Sequence, residues 1–235
     1  MTEKEKVYLE LEKSFVTYAQ MLAVSDLDSN ADKESFVIVP KDGSSVVGRT
    51  DITRLPSSSP DIMVRKGVME KLCLVDSELK KNKANYQLVV SYGWRDLAIQ
   101  KDVFEKNCER LRSKYSSEEE LREAVHQFIA APEVAGHPTG GAVDVLIFDM
   151  EQNKYLDFGT DIGDFENRDI IFASPFISKE AKANRKLLRK VMTQQGFASF
   201  DGEWWHFSYG DREWAVNFNQ NSYLYSQKAK SEIVI

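Results

Sequence analysis

The stretch APEVAGHPTGGAVDVLIFD, residues 131–149, joins a loop rich in glycine and proline to an apolar run that carries Asp144. The run AVDVLIFD has the β-branched and aromatic residues typical of a strand. Neither helical nor strand periodicity accounts for His137 in the loop, and glycines allow a backbone to approach a bound group closely. The stretch therefore predicts a strand that is preceded by a functional loop.

Further strands and helices are predicted on both sides of this stretch. Apolar and aromatic runs predict strands at 35–40, 86–92, 203–210 and 213–218. Residues 210–212 form the turn between the last two strands, which would make a hairpin. Apolar residues three and four apart predict helices at 4–22, 64–79, 103–114, 118–130 and 179–194. The pair Ser116-Ser117 is a good N-cap signal for the fourth helix. Because strands of the second half cluster without a helix between each pair, we expect an α+β fold.

The length and composition indicate one globular domain. The chain has 235 residues, of which 42% are apolar and 29% charged, and this composition excludes a disordered protein. We expect a single domain over 1–235, in which residues 1–60 form a helical and loop N-terminal part. Residues 41–61 are rich in serine, glycine and proline and predict a long surface loop.

The charge and the apolar pattern limit the partners and the location. A net charge of -6 repels phosphate backbones and anionic membranes, so neither nucleic acid nor a membrane is expected as a partner. Charges interrupt the first residues, and no later run approaches the roughly 20 apolar residues of a membrane span. We therefore expect a cytoplasmic protein in which Cys73 and Cys108 are free thiols.

The three histidines lie in different surroundings. His126 lies within a predicted helix beside apolar positions, so we interpret it as structural. His206 lies among aromatic residues in EWWHF and would, considered alone, be a hydrogen-bonded core residue. Strand alternation places Asp144 on the face opposite Val143 and Val145, where it is either exposed to solvent or part of a site.

Considered together, these residues suggest a metal site. Two imidazoles and one carboxylate form the three-ligand set of catalytic zinc, which leaves a fourth position open. Glu203 precedes His206 by three residues, and a carboxylate beside such a site can accept a proton from water. In a regular strand these two side chains would face opposite ways, so Glu203 must lie in an irregular approach to the strand, which Gly202 makes plausible.

The motifs GHPTGGAVDV and EWWHF closely resemble those of the bacterial D-alanyl-D-alanine dipeptidases, which are vancomycin-resistance-type zinc dipeptidases of the LAS-type D,D-peptidase group. The pattern of that group, H-x(6)-D followed much later by E-x-W-H, matches this chain at His137, Asp144, Glu203, Trp205 and His206. The segment VVSYGWRDLAIQ is similar to the family segment that carries its arginine, and YLDFGTDIGDF resembles another family stretch. The resemblance extends over about residues 64–209.

This resemblance implies a fold, a reaction and a set of site residues. The fold would be the LAS-type, hedgehog-like one, with an antiparallel sheet flanked by helices. His137, Asp144 and His206 would bind Zn²⁺, Glu203 would act as general base and then acid, and Arg95 would stabilise the oxyanion. The expected reaction is hydrolysis of D-Ala-D-Ala or a closely related small dipeptide.

Some positions depart from the family pattern. Ala135 stands where serine is frequent, and Trp94-Arg95-Asp96 replaces Tyr-Arg-Pro. Either Asp161 or Asp164 corresponds to the supporting aspartate that follows LDFGT. These changes affect substrate contacts more than zinc ligation, so catalysis is a safer expectation than a preference for D-Ala-D-Ala.

Two other functions stay open. One is a D,D-carboxypeptidase that acts on cell-wall peptides. Trp204-Trp205 resembles the dipeptidase form of the motif and is expected to add bulk that limits the depth of the site. A cell-wall enzyme would need an export signal, and none is expected from the charged residues 1–15. The other is an inactive zinc-binding recognition module, against which Glu203 and Arg95 argue because a structural metal site needs neither.

Overall fold

The apolar runs of the sequence form a mixed sheet with one long central strand. A computed structural model describes residues 2–55 and 59–235, so residues 56–58 of the predicted surface loop lie outside the described residues. The strands in chain order are β1 (Asp26–Leu27), β2 (Phe36–Ile38), β3 (Val47–Gly48), β4 (Met63–Arg65), β5 (Tyr86–Tyr92), β6 (Ala142–Asp149), β7 (Lys154–Tyr155), β8 (Ala198–Ser199), β9 (His206–Ser208) and β10 (Ser222–Tyr223).

The helices other than α3 begin at a polar side chain that caps the first turn. They are α1 (Glu3–Glu12), α2 (Tyr18–Ala23), α3 (Lys66–Asn82), α4 (Leu97–Leu111), α5 (Glu118–His126), α6 (Lys179–Gln194) and α7 (Arg212–Asn217). Ser117 caps α5, as predicted, by accepting a hydrogen bond from the backbone N–H of Glu120. The helix predicted over 4–22 is two helices, because Thr17 and Gln20 form a capping box that starts α2. No helix in the described part of the chain has the length and apolar content of a membrane span.

The main sheet has the strand order β3-β5-β6-β9-β8, and β7 also pairs with β6. Strand β6 is antiparallel to β5, β7 and β9, and β8 is antiparallel to β9, whereas β3 is parallel to β5. Two small pairs, β1 with β10 and β2 with β4, lie outside this sheet. The mixed α+β class is therefore confirmed, and the sheet is antiparallel except at the β3 edge.

Both faces of β6 are covered, which places Asp144 in the interior. Residues 142–147 are all buried, and Asp144 itself has no exposed surface. Helix α3 packs on β5 and against α6. The helices α2, α4 and α5 enclose a second apolar cluster that contains Met21, Phe104 and Val125. The solvent-exposed interpretation of Asp144 is wrong because the sheet is covered on both sides.

The hairpin predicted around residues 210–212 is also wrong. Strand β9 ends at Ser208, and the segment predicted as a strand over 213–218 is helix α7. Asp211 starts this helix by accepting a hydrogen bond from the backbone N–H of Trp214. A six-residue apolar segment fits either periodicity, and here the N-cap decides for a helix.

Candidate active site

Asp144 occupies the middle of the site because its strand is paired on both sides. In the sheet register it lies opposite Tyr92 of β5 and opposite His206 of β9. Residues in such cross-strand positions project from the same face of a sheet. A β-bulge between Val90 and Tyr92 shifts the end of β5. The pairing therefore brings His206 to Asp144 although 62 residues separate them.

His137 reaches the same place from the glycine-rich loop. It begins a short 3-10 turn (His137–Thr139), and Gly140 then adopts a φ of 73° that leads the chain into β6. His137 Nδ1 lies 2.8 Å from the carbonyl oxygen of Gly93. Because a carbonyl only accepts, Nδ1 carries the proton and the lone pair of Nε2 points toward Asp144.

A second feature of the loop is a close approach to the start of α7. A Cβ atom on Gly136 would lie 2.1 Å from Asp211 Oδ2, a distance at which atoms overlap. Asp211 is fully buried beside this glycine. The glycine before His137 is thus required by packing against the Asp211 carboxylate.

Three ligand-type atoms converge at this point. His137 Nε2 lies 3.4 Å from Asp144 Oδ1, and His206 Nδ1 lies 3.1 Å from the same oxygen. The three side chains are the cluster of metal-ligand type found in the described residues, with their ligand atoms within 4.8 Å of one another. Zinc bonds of about 2.0–2.1 Å at tetrahedral angles separate ligand atoms by roughly 3.3 Å, so this spacing fits a zinc ion.

One oxygen of Asp144 supports the same interpretation. Asp144 Oδ2 is buried and has no hydrogen-bond partner among the described residues. Leaving a buried carboxylate oxygen without a partner costs free energy. A cation held by the two imidazoles and this carboxylate would satisfy the oxygen, so the donor set and the unpaired atom both fit a bound divalent metal.

The charges in the site shift the protonation of its members. Burial raises the pKa of Asp144, but His137 and His206 outweigh burial and hold this pKa well below its usual value. Burial lowers the pKa of His137, although Asp144 opposes the shift. For His206, burial acts to lower the pKa, while the carboxylates of Asp144 and Glu213 raise it well above its usual value.

Glu203 lies in the irregular segment before β9, as its predicted role required. Its carbonyl accepts a hydrogen bond from the N–H of His206, which closes a turn directly ahead of the strand. Desolvation raises the pKa of the Glu203 carboxyl to about 8, the charge of Asp144 adds to the shift, and His206 and Arg95 oppose it. The carboxyl is therefore suited to proton transfer near neutral pH.

Arg95 is buried at the same cleft and is not a surface ion-pair residue. Its Nη1 donates a 2.8 Å hydrogen bond to Gln100 Oε1, and its Nε donates one of 3.2 Å to the Tyr92 hydroxyl. The side chain of Gln100 donates in turn to the carbonyl of Ala130. These neutral groups hold the guanidinium without cancelling its charge.

A cavity of about 620 Å³ joins these residues. His137, Asp144, Glu203, His206 and Arg95 line it near the start of α4. Gln100, Val103, Asn107 and Leu111 continue the wall along one face of that helix. Between Gln100 and Leu111 an α-helix rises about 16 Å, whereas an extended dipeptide spans at most about 7 Å. The cleft is longer than a dipeptide.

The two tryptophans of EWWHF do not form its wall. Trp204 stacks on Phe158 with ring centroids 4.2 Å apart, and its Nε1 donates to the Thr160 hydroxyl. Trp205 is fully buried in the main core. The expectation that this pair limits the depth of the site is wrong, because both indoles pack into the core behind the cleft.

The remaining sequence candidates lie outside the ligand cluster. His126 is buried, and its Nδ1 accepts a hydrogen bond from the N–H of Ala131, which is the structural role expected. Asp161 and Asp164 both form ion pairs with Arg54, each at 2.9 Å. Arg54 lines the cleft, so these two aspartates contribute to it only through that arginine.

Glu213 is a neighbour of the site that the sequence interpretation missed. Its Oε2 lies 3.5 Å from His206 Nε2, on the side of the ring away from Asp144. The interpretation of 213–218 as a strand concealed this contact. The sequence signal that could have shown it is Asp211, because an aspartate two positions before Glu213 is a typical N-cap and predicts a helix start there.

Comparison with known proteins assigns the chain to a family. Residues 47–227 match the peptidase family M15 model described as D-ala-D-ala dipeptidase. The chain belongs to this family. Family membership identifies it as a peptidase of the group whose motifs the histidine loop and EWWHF resemble.

Individual relatives are distant. A D-alanyl-D-alanine dipeptidase of Synechocystis sp. is 25% identical over 182 residues, which cover 67% of this chain and 73% of the relative. One of Escherichia coli is 34% identical over 73 residues, covering 31% of this chain and 37% of the relative. A solved structure of a mutant vancomycin-resistance D,D-pentapeptidase VanY with Zn(II) has a TM-score of 0.39 and 14% identity over 85% of this chain and 95% of that one.

Proposed function

We propose that the protein is a zinc-dependent dipeptidase that hydrolyses D-Ala-D-Ala or a closely related small dipeptide. The observation that carries the proposal is the convergence of His137, Asp144 and His206 in a cleft that Glu203 and Arg95 also line. An inactive recognition module would need neither the buried arginine nor the carboxyl with a raised pKa. Membership of the dipeptidase family supports the choice of substrate.

The three clustered side chains would hold the metal. His137 offers Nε2, His206 offers Nδ1, and Asp144 offers a carboxylate oxygen. Zinc bound there would polarise the peptide carbonyl and lower the pKa of water at the site toward 7. His137 and Asp144 are buried and His206 is only partly exposed, which limits the access of bulk solvent and keeps the local electrostatic interactions strong.

Glu203 would handle the proton. Its carboxylate would accept a proton from the attacking water and then donate it to the amine that leaves. A cation at the three ligands lowers the pKa of a neighbouring carboxyl, so the ionised form needed for the first transfer would be favoured when metal is bound.

Arg95 would stabilise the negative charge that develops on the carbonyl oxygen. Its guanidinium is fixed by Gln100 and by the Tyr92 hydroxyl before the substrate arrives. A donor fixed in this way does not have to reorganise during the reaction.

Two measurements on one purified sample test the proposal. Metal analysis should find one zinc per chain, and D-Ala-D-Ala should be hydrolysed faster than L-Ala-L-Ala. A zinc-loaded protein that releases no alanine from D-Ala-D-Ala would refute the dipeptidase assignment. Equal rates on both dipeptides would refute the stereochemical preference alone.

The length of the cleft favours a second candidate, a D,D-carboxypeptidase that acts on longer peptides ending in D-Ala-D-Ala. The wall along α4 leaves space beyond the length of a dipeptide. If the extra space binds peptide, Asn107→Trp should lower kcat/KM for a pentapeptide that ends in D-Ala-D-Ala by about tenfold or more. The reason is that overpacking costs about 1–3 kcal/mol. The kcat/KM for D-Ala-D-Ala should be unchanged in this variant.

Lys106→Trp is the matched control, since that side chain is exposed on the neighbouring face of α4. Equal kcat/KM for the pentapeptide in both variants would remove the support that the cleft gives to this candidate.

We also propose a cytoplasmic location, because Cys73 and Cys108 are free thiols. Cell fractionation would test it.

A further inference from the structure

Glu213 lies next to Nε2 of His206, the ring nitrogen that does not face Asp144. It lies in the first turn of α7, and its side chain is only 10% exposed. We propose that Glu213 is a positioning residue that accepts the Nε2–H of His206 and so directs Nδ1 of that ring toward Asp144. This inference rests on the proposed zinc site and adds a residue to it.

The two histidines of the site are held in the same way but by opposite nitrogens. His137 is bonded through Nδ1 to the carbonyl of Gly93, which leaves Nε2 toward Asp144. His206 has Nδ1 toward Asp144 and Nε2 toward Glu213. Each ring therefore has one nitrogen at the site and the other at a fixed oxygen. Such outer partners set the tautomer and the orientation of a metal-binding imidazole.

The Glu213 carboxylate has no other ion-pair partner within the described residues. The ion pairs of this part of the chain include Glu213 only with His206, and Glu213 Oε1 has no hydrogen-bond partner. A buried carboxylate without an opposite charge is destabilising. The position of Glu213 is explained if its carboxylate accepts the Nε2–H of His206. A cation bound at Nδ1 of the same ring would make that N–H more positive.

The backbone holds this carboxylate in place. Asp211 caps α7 through the N–H of Trp214, one residue after Glu213, and Ala215 donates its N–H to the Asp211 carbonyl. Only three residues separate the end of β9 from the start of α7, so a short connection links Glu213 to His206. The pair is thus set by the fold and not by a mobile loop.

The test measures zinc affinity in Glu213→Gln and Glu213→Ala by competition with a chromophoric chelator at fixed pH. Both variants should bind zinc about 10–100-fold more weakly than wild type, with the larger loss in the alanine variant, because glutamine keeps an acceptor oxygen. Cobalt(II) in the site should show a changed absorption spectrum. The melting temperature of the metal-free protein reports any purely structural effect.

Glu12→Gln is the matched control. Glu12 is as buried as Glu213, but it pairs with Arg168 and not with a histidine. Zinc affinity should be unchanged in this variant. The inference is overturned if Glu213→Gln binds zinc as tightly as wild type, or if Glu12→Gln weakens zinc equally. A wild-type protein that binds no zinc would overturn the proposed function as well.

Discussion

Asp144 shows how much one residue depends on its surroundings. In a strand with one exposed face it would be an ordinary surface carboxylate. Here it has no exposed surface, two imidazole neighbours and one oxygen without a partner. His137 and His206 hold its pKa well below the usual value in spite of burial. A buried anion of this kind attracts a cation, and this is the property that the proposed mechanism uses.

Glu203→Gln should separate metal binding from proton transfer. The glutamine has almost the same shape but cannot accept the proton, so kcat for D-Ala-D-Ala should fall by at least about 10²-fold. Zinc content and the melting temperature should stay close to those of wild type. Loss of zinc from this variant would make Glu203 a ligand, and a near-normal kcat would leave the general base unidentified.

The histidines give a second prediction at the residue scale. His206→Ala should lose zinc because it removes one of three ligands, whereas His126→Ala should retain it, since the His126 imidazole binds the backbone of Ala131. Metal analysis after dialysis measures both. Retention of zinc by the first variant together with its loss from the second would contradict the ligand assignment.

At the scale of elements, the glycine-rich loop and the start of α7 should be energetically coupled. Gly136→Ala places a methyl group 2.1 Å from Asp211 Oδ2 and should destabilise the protein by about 1–3 kcal/mol. In an Asp211→Ser background the same change should cost less, because serine is shorter and still caps the helix. Urea unfolding of all four proteins measures the coupling, and additive effects would contradict it.

The two long strands were predictable from the sequence, whereas several helix bounds and the short segments were not. The sequence also named the three side chains that the structure brings together, and their role as metal ligands stays a prediction. Strands β5 and β6 were predicted with the observed bounds, since β-branched, aromatic and other apolar residues dominate each run. Helix α7 was taken for a strand because six residues carry too little periodicity. The contact of Glu213 with His206 was missed for that reason, and the burial of Asp144 depends on helices that are distant in the sequence.

At the scale of the whole molecule, the N-terminal part should unfold together with the rest. Residues 2–46 precede the family match, but Arg212 donates hydrogen bonds to the carbonyls of Met21 and Val24, and Glu12 pairs with Arg168. The single-domain prediction therefore implies one cooperative transition in calorimetry, with equal van't Hoff and calorimetric enthalpies. Two separate transitions, one of them assigned to residues 1–60, would contradict it.

The edges of the main sheet affect how the protein behaves at high concentration. Strands β3 and β8, which end the sheet on its two sides, have only two residues each. Another chain that approached either edge would find few free backbone groups to pair with. The longest strand, β6, is paired with β5 on one side and with β7 and β9 on the other. The most apolar strand of the sheet is therefore the one least open to edge-to-edge pairing in the folded molecule, and it becomes available only in chains whose sheet has not yet formed.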